Sequence, residues 1–161
     1  MLRAEDVVAK LRFKDSRLGY VKVSDGSLIV LRVAVVDVRV REEASPLVVE
    51  FDVNVTTGIS VYPSEEALDE VRDRPVVEPG KVPSEGWVRV DIVEKEPAYE
   101  EVVYSDGRVG RYSVRVEVEP LMVSKNAQFK TVQGSPLYFV RWVPKVSWGE
   151  LREGPEGGSD A

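Results

Sequence analysis

Apolar and polar residues alternate along most of this chain with a period of two, the spacing that puts successive side chains on opposite faces of a β-strand. Val7, Ala9, Leu11 and Phe13 alternate with Val8, Lys10, Arg12 and Lys14, which predicts a first strand over 7–13 and no N-terminal helix. Residues 20–23 lead into Asp25-Gly26, a pair whose tolerance of positive φ suits a type I′ hairpin, and 27–41 leave it as a long strand. The inward set there runs Ile29, Leu31, Val33 and Val35, then shifts to Val36, Val38 and Val40, and a slip of one residue predicts a β-bulge. After a turn at Ser45-Pro46, Leu47, Val49, Phe51, Val53 and Val55 face one way and Glu50, Asp52 and Asn54 the other, with Ile59 and Val61 extending the pattern. Pro63-Ser64-Glu65-Glu66 then opens a short helix near 64–74, with acids at its dipole-favoured start and Pro75 as its stop.

The same programme recurs. A shift of 81 residues carries Val7 onto Val88, Leu11 onto Ile92, Val21 onto Val102 and Ser24-Asp25-Gly26 onto Ser105-Asp106-Gly107. A shift of 90 carries Ser45-Pro46-Leu47 onto Ser135-Pro136-Leu137, Val49 onto Phe139 and Val53 onto Val143, so nine residues are inserted between Pro120 and Gly134. We read an internal duplication: a first β repeat with its helix over 1–75, a Pro- and Gly-rich linker over 76–86, a second repeat over 87–149, and a tail over 150–161 expected to be disordered for want of periodicity. Four strands and one short helix bury too little alone. The expected fold class is therefore all-β, with two similar antiparallel four-stranded units packed as a sandwich or a partly closed barrel.

Composition agrees with strands and narrows the chemistry. About a fifth of the residues are Val, which is stiff at χ1 and fits a pleated surface better than a helix, and 43% hydrophobic content over 161 residues supports a real core. Cys and His are both absent. That excludes disulfides, thiolate zinc sites, the commonest general base and any Ser/His or Cys/His pair, and calls for no cofactor or metal. The charged start and the lack of a long apolar run point to a cytoplasmic protein without a membrane partner. Charged residues make up 31%, against six Asn, Gln and Met in all, a balance expected of a thermophilic source. A net charge of −6 disfavours a nucleic-acid partner.

No nucleotide-binding glycine pattern occurs, and Gly107-Arg108-Val109-Gly110 reads as hairpin geometry. Asp25 and Asp106 read as turn residues and not as paired catalytic carboxylates, while Glu42-Glu43, Glu65-Glu66 and the acids of 94–101 lack calcium-loop spacing. Two segments stand apart from the acidic average. Lys10, Arg12 and Lys14 form a basic stripe at strand spacing, a candidate anion site. Residues 125–148 hold four bases, no acid and five aromatics, and there Phe139 and Val143 read as core while Tyr138, Val140 and Trp142 lie opposite, where the first copy has Val48, Glu50 and Asp52. An apolar set on a face that is mostly polar in the sister strand is either covered by the tail or the insertion or is a candidate partner interface. The reading is a non-enzymatic interaction or structural module that self-associates or binds a protein, with nucleic-acid or anion binding as the rival.

Overall fold

In the computed structural model, which describes residues 2–41 and 48–152, the Val-rich segments become nine strands in two antiparallel sheets. The elements are α1 (Ala4–Ala9), β1 (Leu11–Arg17), β2 (Gly19–Val23), β3 (Leu28–Val40), β4 (Phe51–Tyr62), α2 (Glu65–Glu70), β5 (Trp87–Val90), β6 (Ile92–Glu96), β7 (Ala98–Asp106), β8 (Gly110–Lys130) and β9 (Pro136–Glu150). One sheet runs β1-β7-β8-β5 with β9 on the other side of β8, and the second runs β4-β3-β2-β6. The sheets stay separate, so the fold is an open sandwich and not a closed barrel. Its core lies between them. Ile29, Leu31, Val21, Val33 and Val38 of one sheet meet Val102, Val114, Val116, Val118 and Val123 of the other, all under 2% exposed. Each such side chain contributes about 1.5–3 kcal/mol by leaving water.

The two halves do not fold as separate four-stranded units. The chain passes from one sheet to the other across single residues, at Leu18, Asp91 and Pro97. In consequence β1 pairs with β7 and β6 with β2, so each half gives a strand to the sheet built by the other. Leu11↔Tyr104 and Ile92↔Val23 are pairings related by the 81-residue shift. The two corners cross at close range: a Cβ on Gly19 would lie 2.5 Å from the Ala98 nitrogen and the Glu96 carbonyl oxygen. Only glycine fits there.

Several expectations change. Residues 4–9 are helical, and β1 starts at Leu11. Residues 87–90, placed 81 positions on from the predicted first strand, do form a strand, β5, which pairs with β8 at 123–126, whereas among the described residues 4–9 pair with no strand. The bulge in β3 falls where the slip predicted it, between Val35 and Asp37, with Val36 itself turned outward. The freed Val35 N–H donates to the buried Glu100 carboxylate of the facing sheet at 2.7 Å. The Asp25-Gly26 turn is not type I′, since Gly26 alone has positive φ (89°); Gly26 N donates to the Val23 carbonyl and Val23 N to that of Ser27, a three-residue connection with a glycine bulge. The predicted helix is the shorter α2, capped by the Ser64 hydroxyl, which accepts from Ala67 N at 3.1 Å. The Ser45-Pro46 turn and the end of the tail, 153–161, lie outside the described residues. Among the described residues no helix is long and apolar enough to cross a membrane.

Candidate functional site

The densest set of titratable side chains gathers where the β2–β3 turn meets α2, β8 and β9. Asp25 sits in the turn, and its Oδ1 accepts from Ser27 N at 2.8 Å. Its Oδ2 accepts from the Tyr138 hydroxyl of β9 and from Lys125 Nζ of β8 at 3.1 Å. Lys125 also reaches Glu70 of α2 at 2.8 Å, and Ser64, the α2 cap, donates its hydroxyl to the Asp25 carbonyl at 2.6 Å. Burial works to raise the Asp25 pKa, but hydrogen bonds from Tyr138, Ser27 and Lys125 outweigh it and hold the carboxyl below its ordinary range. Burial works to lower that of Lys125, and Glu70 and Asp25 outweigh it in turn. Tyr138 is pushed upward, first by burial and then by its bond to Asp25. Among the described residues every buried side-chain nitrogen and oxygen has a partner. The cluster is thus closed and internally satisfied, a lock joining hairpin, helix and second sheet, with no unpaired group aimed at a ligand.

The residues expected to form a partner interface face the other way. Tyr138 and Val140 are 9% and 4% exposed and belong to the core, and Trp142 packs against it, while Phe139 (60% exposed) and Val143 are on the outside. The cause is a difference in bulge position. Arg39 pairs with Asp52 and Pro120 with Trp142, pairings 81 and 90 residues apart on the two strands. But β3 bulges at Val36, whereas β8 carries no bulge before Leu121, so from Pro144 back to Tyr138 each β9 residue faces opposite to the residue 90 positions earlier.

The basic stripe is likewise not one regular face. Lys10 precedes β1 and pairs with Asp37 of the opposite sheet at 2.8 Å. Lys14 occupies the bulge between Phe13 and Asp15 and lies 3.6 Å from Glu101, and Arg12 is also engaged within the chain.

What the structure opens instead is the flank between the outer edges of β4 and β9. An apolar groove of about 510 Å³ is lined by Ile59, Val61, Pro63, Val82, Trp87 and Phe139, and a neighbouring one of about 350 Å³ by Thr57, Gly58, Ile59, Phe139, Arg141 and Trp142. Sequence reasoning missed this flank because it assigned Phe139 to the core. One signal was readable: Pro144 within a strand pattern already places β9 at a sheet edge. Among the described residues no three acidic side chains come together as metal ligands. No protein-family model matches the sequence, and neither a curated protein nor a solved structure matches the chain.

Proposed function

We propose that this protein is a non-enzymatic interaction module, self-associating or binding a protein partner, and that its contact surface is the open flank between β4 and β9. The observation that carries the reading is Phe139, a large aromatic 60% exposed beside two contiguous apolar grooves. Isolated apolar side chains on a surface are ordinary, whereas a grooved apolar flank at two sheet edges is a contact site. The titratable cluster around Asp25 supports a non-catalytic role, because its bonding capacity is spent on tying the fold together. Anion binding draws no support from Lys10 and Lys14, whose charges are already met by Asp37 and Glu101.

We further propose that the scaffold arose by duplication with exchange of first strands. The matched pairings β1·β7 with β6·β2, and Arg39↔Asp52 with Pro120↔Trp142, support it. The charged, amide-poor composition supports a thermophilic source, for which thermal unfolding should lie above about 65 °C.

Sedimentation velocity tests the contact surface. Mass should rise with concentration for the wild type, and Phe139→Asp, at an exposed position, should abolish the rise without changing the circular dichroism spectrum. A wild-type mass that stays at 18.0 kDa up to about 100 μM, an affinity of about −5.5 kcal/mol, defeats the self-association reading.

A further inference from the structure

The free edges of the two sheets are unequally defended. An edge strand exposes unpaired N–H and C=O groups and is ordinarily blunted by charge, proline, bulging or brevity. The edge strand β1 carries Arg12, Lys14, Asp15 and Arg17 and a bulge. In the other sheet the edge strand β6, at the far side from β4, is five residues long, holds Glu94, Lys95 and Glu96, and stops at Pro97. In β9 the same work falls to Pro144, Arg141 and Lys145. β4 has none of these: its 12 residues contain no proline and no lysine or arginine, and among the described residues it pairs only with β3. Its one charge, Asp52, is already met by Arg41 at 2.6 Å.

The sequence of β4 is also complementary to itself. In an antiparallel pair, residues opposite one another share a face, so a two-fold axis must pass through a residue position. An axis at Thr57 sets Val53 against Val61, Val55 against Ile59 and Thr57 against its own copy on the inner face. On the outer face it sets Asn54 against Ser60, Thr56 against Gly58 and Asp52 against Tyr62. Apolar meets apolar, polar meets polar, and no like charges are opposed. Val53, Val55 and Val61 already pack against the core, and Ile59, 39% exposed, lines both grooves, so the inner side chains of an added strand continue that layer over the flank.

We infer that the occupant of the β4 edge is a second copy of this chain, joined by antiparallel β4·β4 pairing about a two-fold at Thr57, which merges the two β4-containing sheets into one eight-stranded sheet. The inference rests on the flank being the contact surface and names its partner and register.

Three variants at exposed outer-face positions test it by sedimentation equilibrium, with circular dichroism as the fold control. The wild type should be a dimer of twice 18.0 kDa. Thr56→Lys with Gly58→Lys puts two like-charge pairs across the interface and should weaken it at least about tenfold, while Thr56→Lys with Gly58→Glu makes both pairs opposite in sign and should restore it. A monomeric wild type overturns the inference and, of the flank reading, its self-association form, leaving a contact with a different protein partner. Loss of the dimer in Phe139→Asp but not with the two lysines overturns the β4 pairing and leaves the flank reading standing. Weakening by the two lysines without rescue by the Lys/Glu combination overturns the Thr57 register.

Discussion

Gly19→Ala tests whether the strand-exchange crossing is as tight as the geometry says. The added Cβ would meet the Ala98 nitrogen and Glu96 carbonyl oxygen at 2.5 Å and the Pro97 carbonyl carbon at 2.6 Å, all backbone atoms. Non-bonded heavy atoms rest at about 3.5–4.0 Å, so relief requires moving one sheet corner away from the other by about an ångström. No flexible side chain can yield in its place, and both corners are single-residue connections. Overpacking costs about 1–3 kcal/mol where side chains can adjust, and a backbone-on-backbone clash belongs at or above about 3 kcal/mol. Against a total of about 5–15 kcal/mol this is a large fraction. In urea, with a slope of about 2 kcal/mol per molar, the midpoint should fall by about 1.5 M. Gly58→Ala is the control: nothing lies within 4 Å of the new Cβ, and replacing a strand glycine should leave stability unchanged or raise it by about 0.5–1 kcal/mol. If Gly19→Ala loses less than about 1 kcal/mol, or if the two variants behave alike, the crossing is not the tight junction described.

Other expectations follow from the buried polar groups. Asp25→Ala strands Lys125 and Tyr138 and should cost about 2–4 kcal/mol, with a coupling of about 1–3 kcal/mol to Lys125→Met in a double-mutant cycle read by urea titration. The folded-state pKa of Asp25 is depressed, so its contribution is present above the unfolded value and should be lost as pH falls through the folded one. Lys125 and Tyr138 are raised, so theirs are complete below their unfolded values and should fade as pH rises above about 10; Asp25→Ala should flatten the acid limb of a stability–pH profile. Glu100→Ala leaves the bulge N–H of Val35 unpaired and should cost about 1–3 kcal/mol, whereas Glu100→Gln keeps an acceptor and should cost under about 1 kcal/mol by the same titration. Replacing Lys10, Arg12 and Lys14 together by Ser should leave the fold intact at about 1 kcal/mol or less per ion pair, and oligonucleotide binding should be absent before and after; salt-dependent binding lost in the triple variant would revive the anion-binding rival.

The amino-acid sequence by itself determined most of the strands, the bulge and the place, though not the type, of the Asp25-Gly26 turn, because each is a local device. The alternation over residues 28–40 needs only the pleat to be read, the one-residue slip at Val36 is visible as two adjacent apolar residues, and Ser64 ahead of two glutamates is a cap whatever the helix packs against. The tertiary structure alone decided three other things. Residues 4–9 are helical while 87–90 extend as β5, because a strand needs a partner ladder and, among the described residues, β8 supplies one to β5 and none is supplied to 4–9. The inward face of β9 is the opposite of the one the repeat implied, because a bulge at Leu121 in place of one nearer the equivalent of Val36 shifts phase by one residue, and with a period of two that turns Tyr138, Val140 and Trp142 into core and Phe139 into surface. The exchange of β1 and β6 between sheets leaves no local trace beyond Gly19, whose missing Cβ makes room for a backbone 77 residues further along the chain, at Glu96. Sequence patterns record which face a residue prefers; which strand lies beside it depends on contacts that no window of neighbouring residues contains.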